Sequence, residues 1–321
     1  MRAAPDLPDA MAGLIGTALE GVSGRALAEA VERLSRAYRG GAASAAAIRA
    51  DIDVLAYLVA RMPATYAAAV AAFSRVAEAR PDFTPRSLID LGAGPGTASH
   101  AAVAVWPSIA EVVMVEPHAG LAARARFLAG ADVRLEGCRF VASPAGIKHA
   151  DLVVAGYVLA ELDVGQAAVF AGRMLALARE TVVIVEPGTP DGFARVRAAR
   201  AGLIAEAARV VAPCPHDSAC PLATPDWCHF SVRLARRRAH RLAKGADAPF
   251  EDERFSYVAA SRLSAPDARP ARIIAAPMVT KESVTMRLCT AEGIAHATIP
   301  RRDKAGYKAG KKHAWGDVFD A

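Results

Sequence analysis

The sequence predicts a doubly wound α/β fold, with a helical cap before a parallel sheet and a β-rich extension after it. Short β-branched or apolar runs alternate with alanine-rich segments long enough for helices through the middle of the chain. Strands joined by helical crossovers lie parallel, and right-handed crossovers place helices on both faces of the sheet. A glycine-rich turn follows the first of these strands. Because ligands of such sheets bind beyond the carboxyl ends of the strands, we expect a binding site at that turn.

The predicted elements follow from the spacing of apolar residues along the chain. Apolar residues recur at three- and four-residue intervals before residue 85, which predicts helices there. The sheet strands are predicted at Ser87 to Leu91, Val112 to Val115, Phe140 to Ala142, Leu152 to Val158 and Thr181 to Val185. A helical run to about Val211 follows, and then come short apolar runs at Phe255 to Ala260, Arg272 to Val279, Ser283 to Cys289 and Ile294 to Ile299.

The length of 321 residues exceeds what one compact core usually holds. We therefore expect three regions: a helical region 1–84, a cofactor-binding domain 85–212, and a C-terminal region 213–321 with clustered cysteines, a basic segment and β-strands.

The composition excludes disorder, because 53% of the residues are hydrophobic and only 22% are charged. The longest strongly apolar run, Leu152 to Ala160, is shorter than the about 20 residues that a bilayer span needs. The opening residues resemble neither a signal peptide nor a transit peptide. On these grounds we expect no membrane association and a cytoplasmic location.

The net charge of +6 is distributed unevenly. Residues 1–190 carry 17 basic and 19 acidic side chains, whereas residues 191–321 carry 22 basic and 14 acidic ones. A positive C-terminal region attracts polyanions by Coulomb steering and counterion release. Nucleic acid is therefore the partner that the charge distribution favours.

The segment SLIDLGAGPGT at residues 87–97 places an acid at the end of the first strand and three glycines before a helix. Gly92, Gly94 and Gly96 allow a tight turn and a close approach to a ligand. Asp90 could bind an amine-bearing or cationic ligand, whereas a pyrophosphate gains nothing from a carboxylate. The segment therefore favours S-adenosylmethionine over NAD, although an oxidoreductase that binds NAD stays a minor alternative.

Glu116 ends the second predicted strand, where a carboxylate can accept hydrogen bonds from both ribose hydroxyls. No catalytic residue can be named. The fourth strand leads into GYVL, without the Asn/Asp-Pro-Pro-aromatic turn typical of enzymes that methylate exocyclic base nitrogens. Tyr157 and Glu161 lie near the appropriate edge, but a core tyrosine and a helix-capping glutamate explain them equally simply.

Three cysteines are clustered at Cys214, Cys220 and Cys228, and Cys289 lies in a later predicted strand. A proline-rich loop that presents several thiols suits metal ligation. The spacing contains no Cys-x-x-Cys knuckle, which argues against an ordinary zinc ribbon, whereas four thiolates can hold an iron–sulfur cluster. The alternative is that these cysteines are small buried hydrophobic residues. Cys138 stands apart and is predicted to lie in the core.

The segment from Arg233 to Lys244 contains six Lys or Arg residues and no acid. At helical spacing Arg233, Arg237, Arg241 and Lys244 would share one face and could contact successive phosphates. The basic tail from Arg301 to Lys312 adds further positive charge. Because aromatic residues are sparse in both segments, backbone or shape recognition of folded RNA is favoured over base stacking there.

Several of these motifs resemble one family, the methyltransferase-like small-ribosomal-subunit assembly factors of bacteria and mitochondria. The resemblance extends over about residues 85–318. It rests on LIDLGAGPGTA at 88–98, MVEPH at 114–118, VEPGTPDGF at 185–193, CPHDSACPL and WCHFS within 214–231, FSYVAASR at 255–262, RLCT at 287–290 and AWGD at 314–317.

The resemblance implies a Rossmann-type class I methyltransferase domain that binds S-adenosylmethionine and acts on rRNA of the small ribosomal subunit. It also implies a four-iron four-sulfur cluster held at positions that match Cys214, Cys220, Cys228 and Cys289. Two functions stay open. One is an S-adenosylmethionine-dependent rRNA methyltransferase, in which aligning the acceptor could supply much of the catalysis. The other is a non-catalytic rRNA-binding assembly factor with a vestigial cofactor pocket.

Overall fold

The computed structural model describes residues 6–40, 44–245, 247–263 and 269–320. In the part of the chain that the structure describes, five helices precede the first strand, in agreement with the helical cap that the sequence predicts. They are α1 (Asp9–Ala18), α2 (Gly24–Arg39), α3 (Ser44–Ala47), α4 (Asp51–Ala60) and α5 (Met62–Ala79). The side chain of Ser23 caps α2, and Pro63 occupies the first turn of α5, where a missing N–H costs nothing.

The main sheet follows the cap and alternates with helices. Its parallel strands are β1 (Ser87–Leu91), β2 (Glu111–Val115), β3 (Arg139–Val141), β4 (Ala150–Gly156) and β5 (Ala178–Pro187). The crossover helices are α6 (Thr97–Val105), α7 (Ala119–Ala129) and α8 (Val164–Leu177), and α9 (Pro190–Ala205) follows β5. The doubly wound fold that the sequence predicts is therefore confirmed.

Three further strands complete this sheet: β6 (Arg209–Ala212), β7 (Phe230–Ala235) and β8 (Phe250–Ser261). Among the described residues, the strand order is β3-β2-β1-β4-β5-β8-β6, and β7 pairs with β8. β8 runs antiparallel to β5, β6 and β7. The order reverses between β1 and β4, so the carboxyl ends of these two strands border the crevice where doubly wound sheets bind their ligands.

Hydrophobic side chains cover both faces of the main sheet. Leu88 and Val183 face the cap helices together with α6 and α7, whereas Ile89 and Val182 face α8 and α9. Adjacent strand residues thus point to opposite faces, as the two-residue period of a strand requires. This burial on both faces explains why the strands read as continuous apolar runs instead of alternating ones.

A smaller antiparallel sheet forms the C-terminal part. Its strands are β9 (Ala271–Ile273), β10 (Met278–Val279), β11 (Ser283–Thr290), β12 (Gly293–Pro300) and β13 (Val318–Phe319). β11 lies between β9 and β12, and two short helices, α10 (Arg238–Lys244) and α11 (Lys304–Gly310), lie before and after this sheet in the chain. Arg75 on α5 donates to Asp317 at 2.7 Å, which ties the cap to the C-terminal end.

The structure differs from the predicted elements in three places. The helix predicted to run to about Val211 ends at Ala205, because Ala207 adopts a left-handed φ of 62° and turns the chain into β6. The single strand predicted from Arg272 to Val279 is divided into β9 and β10, with Pro277 directly before β10. β7 includes the first three residues, 233–235, of the basic segment that was predicted to be helical. The division at residues 84 and 212 remains a prediction.

No single described helix is long and apolar enough to cross a membrane. α4 and α5, which are bent by 48° at their junction, reach that threshold only when they are taken together, by length and composition alone. Most of their side chains are buried in the protein core.

Candidate functional site

A tight loop joins the end of β1 to the start of α6. Gly92, Gly94 and Gly96 have φ values of 69°, 57° and 86°. This left-handed region suits glycine and strains a residue with a Cβ. A Cβ on Gly92 would also lie 2.6 Å from Cγ2 of Val158, in the segment that follows β4. The three glycines therefore shape the crevice between β1 and β4.

The Asp90 carboxylate lies beneath this loop and is fully buried. Its Oδ2 accepts hydrogen bonds from the backbone N and the Oγ of Ser99, at 3.0 and 2.8 Å. Its Oδ1 has no hydrogen-bond partner among the described residues. Asp90 therefore anchors the first turn of α6 and keeps one oxygen available to a ligand.

Burial raises the pKa of Asp90 from 3.8 to about 7. In the unfolded chain the Asp90 carboxyl group loses its proton near pH 4. Below pH 4 it is protonated in both states, and its full contribution to the stability of the folded protein is present. That contribution is lost as the pH rises to about 7. We expect the free energy of unfolding to fall by on the order of 4 kcal/mol across this interval from Asp90 alone. Urea unfolding at several pH values measures this decrease in unfolding free energy. In Asp90→Asn the unfolding free energy should depend less steeply on pH over the same interval.

Glu116 follows β2 and binds the glycine loop directly. Its Oε2 accepts from the backbone N of Gly94 at 2.8 Å, and its Oε1 accepts from the backbone N of His118 at 2.7 Å. Each carboxylate oxygen has two lone pairs and can accept a further hydrogen bond. Glu116 therefore holds the loop in place and remains compatible with ribose hydroxyls.

The cavity beside the glycine loop is small. Its volume is about 30 Å³, and Asp90 and Gly92 line it together with Tyr57, Thr65 and Phe73 of α4 and α5. This volume admits a water molecule, whereas a nucleotide cofactor needs several hundred Å³. Tyr57 and Thr65 also line a neighbouring cleft of about 1260 Å³. The cap helices therefore cover the glycine loop and separate it from a much larger space.

A second cavity, of about 40 Å³, contains four cysteines: Cys214, Cys220, Cys228 and Cys289. Burial raises the pKa of Cys228, and the proximity of the other three thiols raises it further. Burial likewise raises the pKa of Cys289 to about 12, and its Sγ lies 3.8 Å from Nε2 of His216. The structure thus brings together the four cysteines that the sequence singles out, from the loop after β6 and from β11.

Two buried arginines adjoin this thiol cavity. Arg200 donates to the backbone O of His216 at 2.7 Å, and Arg272 donates to the backbone O of Pro213 at 3.0 Å. Both are 6% exposed. Within the described ranges, neither arginine forms an ion pair with a carboxylate, and Nε of Arg200 has no hydrogen-bond partner. Since buried charges are normally paired, the two guanidinium groups leave positive charge beside the four thiols uncompensated.

The thiol cavity does not have the geometry of a site for one metal ion. Among the described residues, no three His, Cys, Asp or Glu side chains have the spacing that a single ion requires. An iron–sulfur cluster takes one thiolate on each iron, so its four cysteines lie further apart than the ligands of one ion. Cys138 lies elsewhere and packs against the main core.

The four basic residues predicted to share a helix face do not do so. Arg233 lies on β7 and pairs with Asp252 at 2.8 Å. Arg237 directly precedes α10 and donates to Asp9 at 2.9 Å, and Lys244 pairs with Glu251 at 2.8 Å. Arg241 is exposed on α10. The prediction of one helical face is wrong, because the segment alternates apolar and polar residues over Phe230–Ala235 and forms a strand there.

The basic tail presents its charges to solvent. Arg301, Arg302, Lys304, Lys308, Lys311 and Lys312 are all exposed. They lie on and around α11 and form an exposed basic surface.

Sequence reasoning missed two residues at the cleft, Arg61 of α4–α5 and Glu253 of β8, which meet Tyr157 at the end of β4. Tyr157 donates from its hydroxyl to Oε1 of Glu253 at 2.8 Å. These residues come from three distant segments, and no short motif links them. The charged run Glu251 to Arg254, which follows Phe250 at the start of β8, is a local signal that could have drawn attention to Glu253.

The strand order, the glycine loop at the switch point and the acids after β1 and β2 define a Rossmann-type, methyltransferase-like protein. Residues 51–320 match the family model described as "Mitochondrial small ribosomal subunit Rsm22". The chain belongs to this Rsm22 family, which confirms the family that the sequence motifs resemble.

Curated relatives support this assignment. The chain is 29% identical over 290 residues to the human "Ribosome assembly protein METTL17, mitochondrial", covering 83% of this chain and 62% of that protein. It is 25% identical over 330 residues to the Schizosaccharomyces pombe "Rsm22-cox11 tandem protein 2, mitochondrial", covering 84% of this chain and 43% of that protein. The chain thus spans less than two thirds of the length of either relative.

One similar solved structure is magnesium protoporphyrin IX methyltransferase from Synechocystis, determined with bound S-adenosylmethionine. The sequence identity is 16% and the TM-score is 0.39, with 61% of this chain and 79% of that chain covered.

The prediction of a cytoplasmic location is wrong. The family and the curated relatives are described as mitochondrial. The prediction rested on the composition of the opening residues, but the cellular address of a protein is read by receptors and is independent of the folded core.

Proposed function

We propose that this chain is an S-adenosylmethionine-dependent, methyltransferase-like factor that acts on rRNA of the small ribosomal subunit during assembly. The observation that carries the proposal is the glycine loop at the switch point, with the unpartnered Oδ1 of Asp90 beneath it and a large cleft beside it. The similarity to METTL17, a human ribosome assembly protein, supports the assembly role.

Asp90, Gly92, Gly94, Gly96 and Glu116 are the residues that would hold S-adenosylmethionine. The free oxygen of Asp90 suits an ammonium or sulfonium group, and Glu116 suits ribose hydroxyls. The bound cofactor supplies an electrophilic methyl group. Because the cavity at the loop is only about 30 Å³, the side chains that line it must rearrange before a cofactor enters.

The four clustered cysteines would hold a four-iron four-sulfur cluster, which we favour over zinc. A cluster with four thiolate ligands is anionic and would compensate the buried charges of Arg200 and Arg272. The raised pKa values of the free thiols show that they are poor anions on their own, so ligation would deprotonate them. The cluster would brace the loop between β6 and β7 against β11.

The exposed basic residues would contact rRNA phosphates. Arg241 on α10 and the six basic residues of the tail are exposed and form no ion pair with another described residue. Arg233, Arg237 and Lys244 would have to exchange a carboxylate partner for a phosphate. We therefore propose that all four residues of the basic segment contribute to RNA binding, with the largest contribution per residue from Arg241.

A second candidate function is a non-catalytic assembly factor that binds rRNA. The closed cavity at the glycine loop and the missing Asn/Asp-Pro-Pro-aromatic turn favour it.

Radiolabelled methyl transfer from S-adenosylmethionine to small subunits from a strain that lacks the protein separates the two functions. The protein is purified anaerobically, and Asp90→Ala is the control. Label that enters rRNA with the unaltered protein and not with the variant supports the enzyme. No label, with intact binding to the same particles, supports the non-catalytic factor.

Binding to rRNA is expected to weaken strongly with salt, because each phosphate contact releases counterions. The logarithm of the affinity should fall by about 0.7 to 0.9 per phosphate contact for each tenfold increase in salt. Replacing Lys308, Lys311 and Lys312 by alanine should reduce this slope by about two. Arg179→Ala, which removes an exposed charge at the start of β5 that pairs with Asp151, is the control and should leave the slope unchanged. An affinity independent of salt would contradict the proposal.

A further inference from the structure

A cleft of about 1260 Å³ adjoins the small cavity at the glycine loop and shares Tyr57, Thr65 and Tyr157 with it. It lies between the cap helices and the carboxyl edge of the sheet, and its walls include Tyr38, Tyr157 and Trp227. Nε1 of Trp227 donates to the backbone O of Gly188 at 3.0 Å, which fixes that indole at the wall. The cleft therefore offers three aromatic surfaces in one concave site.

Arg61 is held between two of these rings. Its guanidinium carbon lies 5.9 Å from the ring centre of Tyr38 and 5.9 Å from that of Tyr157. No hydrogen bond or ion pair joins its side chain to another described residue. A guanidinium group has five N–H donors in a planar fork, so Arg61 presents preoriented donors to the cleft without a protein acceptor.

Glu253 supplies the complementary acceptor. Its Oε1 accepts from the Tyr157 hydroxyl at 2.8 Å, and the negative charge of Glu253 acts on Arg61. Tyr157 has a left-handed φ of 62°, a strained conformation for a residue with a large side chain. Its backbone N donates to the backbone O of Val185 at 2.7 Å, which helps to maintain that conformation.

A buried carboxylate accepts hydrogen bonds from the backbone of the segment that follows Tyr157. Glu186, which is fully buried, accepts from the backbone N atoms of Leu159 and Ala160 at 2.7 and 3.1 Å. The backbone is therefore hydrogen-bonded both at the strained Tyr157 and directly after it. Its ring stands at the switch point between β1 and β4, beside the glycine loop.

The charges around the cleft are balanced. Five acidic and five basic side chains line it, so the cleft has no excess of positive charge for a polyphosphate. A nucleobase instead carries both donors and acceptors on its edge and a π-face for stacking. Donors on Arg61, an acceptor on Glu253 and aromatic walls match these three properties.

We propose that the cleft receives one unstacked RNA nucleobase, which Arg61 and Glu253 position between aromatic side chains beside the glycine loop. The proposal rests on the proposed function for its choice of RNA as the partner. The basic surfaces then bind the phosphates of the strand, and the cleft selects an exposed base from a loop or bulge.

Photo-crosslinking tests the proposal without requiring methyl transfer. The full-length protein is mixed with a short single-stranded RNA pool of random sequence that carries 4-thiouridine, irradiated and mapped by mass spectrometry. We expect crosslinked peptides that contain Tyr38, Tyr157 or Trp227. Arg61→Met should reduce these crosslinks by about tenfold or more, since one bidentate contact contributes on the order of 1–3 kcal/mol. Arg179→Met, at an exposed arginine that lies outside the cleft and outside the proposed RNA-binding surfaces, should leave the cleft crosslinks in place.

A second variant keeps the test decisive if Arg61→Met fails to fold. Glu253→Gln preserves shape and removes the charge, and it should lower the same crosslinks. Crosslinks confined to residues 233–244 and 301–312, or cleft crosslinks unchanged in both variants, would overturn the proposal and leave the proposed function intact. Absence of any RNA binding would overturn both.

Discussion

Replacing Cys228 by serine is expected to remove iron and sulfide from the protein and to lower its thermal stability by several degrees. A ligated cluster adds its binding free energy to the folding free energy. Its loss also leaves the guanidinium groups of Arg200 and Arg272 buried without a compensating anion, which is costly in a low-dielectric interior. The C-terminal sheet should be affected most, since Cys289 lies on β11.

Iron and acid-labile sulfide analysis after anaerobic purification measures the first effect, and calorimetry measures the second. Cys138→Ser is the matched control, because Cys138 is also a partly buried free cysteine but lies outside the thiol cavity. The control should retain about four irons per chain. A folded unaltered protein without iron would refute the cluster, and stoichiometric zinc would replace it with the less favoured metal.

Gly92→Ala is expected to destabilise the protein by about 3 kcal/mol and to abolish S-adenosylmethionine binding. A left-handed backbone costs an alanine about 1–2 kcal/mol. The new Cβ would also lie 2.6 Å from Cγ2 of Val158, and relieving such overpacking costs about 1–3 kcal/mol. Valine is stiff at χ1, so it cannot simply rotate away.

Gly94→Ala distinguishes the cost of backbone strain from the cost of the steric contact with Val158. Gly94 also has a positive φ, of 57°, but a Cβ there would meet no atom within 4 Å. This variant should lose only the about 1–2 kcal/mol of backbone strain. Urea unfolding compares the two, and Val158→Ala should recover part of the loss in Gly92→Ala. Equal destabilisation by both alanines would show that the contact with Val158 is unimportant.

The central fold could be predicted because its signals are local. A strand, an acid, a glycine loop and a helix occur in immediate succession at residues 87–105, and glycine spacing reports backbone geometry directly. The role of Asp90 in anchoring α6 was less accessible, because its partner Ser99 becomes its neighbour only when the loop closes. The proposed ligand contact and the structural contact belong to different oxygens of one carboxylate.

The other differences have equally specific causes. β6 was missed because the chain turns into it at Ala207, an alanine in a conformation that usually signals glycine. In the basic segment, the helix was predicted from the spacing of the arginines. The strand is indicated instead by the apolar residues Phe230, Val232 and Leu234, which alternate with other residues. Arg61, Tyr157 and Glu253 come together through tertiary packing. Their spacing along the sequence does not indicate that they are close in space.

β8 has a consequence for how the chain folds as it is synthesised. Among the described residues, β6 hydrogen-bonds to the main sheet through β8 alone, and β8 pairs with β5 on its other side. A growing chain must therefore wait for residue 261 before the outer edge of β5 is covered and β6 acquires a neighbour. Until then, the emerging chain exposes an apolar parallel sheet with an unpaired edge strand. Nascent chains of this kind recruit chaperones. The three cysteines of the loop after β6 emerge inside that interval, whereas Cys289 on β11 emerges after it, so the thiol cavity can be completed only after β8 has been synthesised.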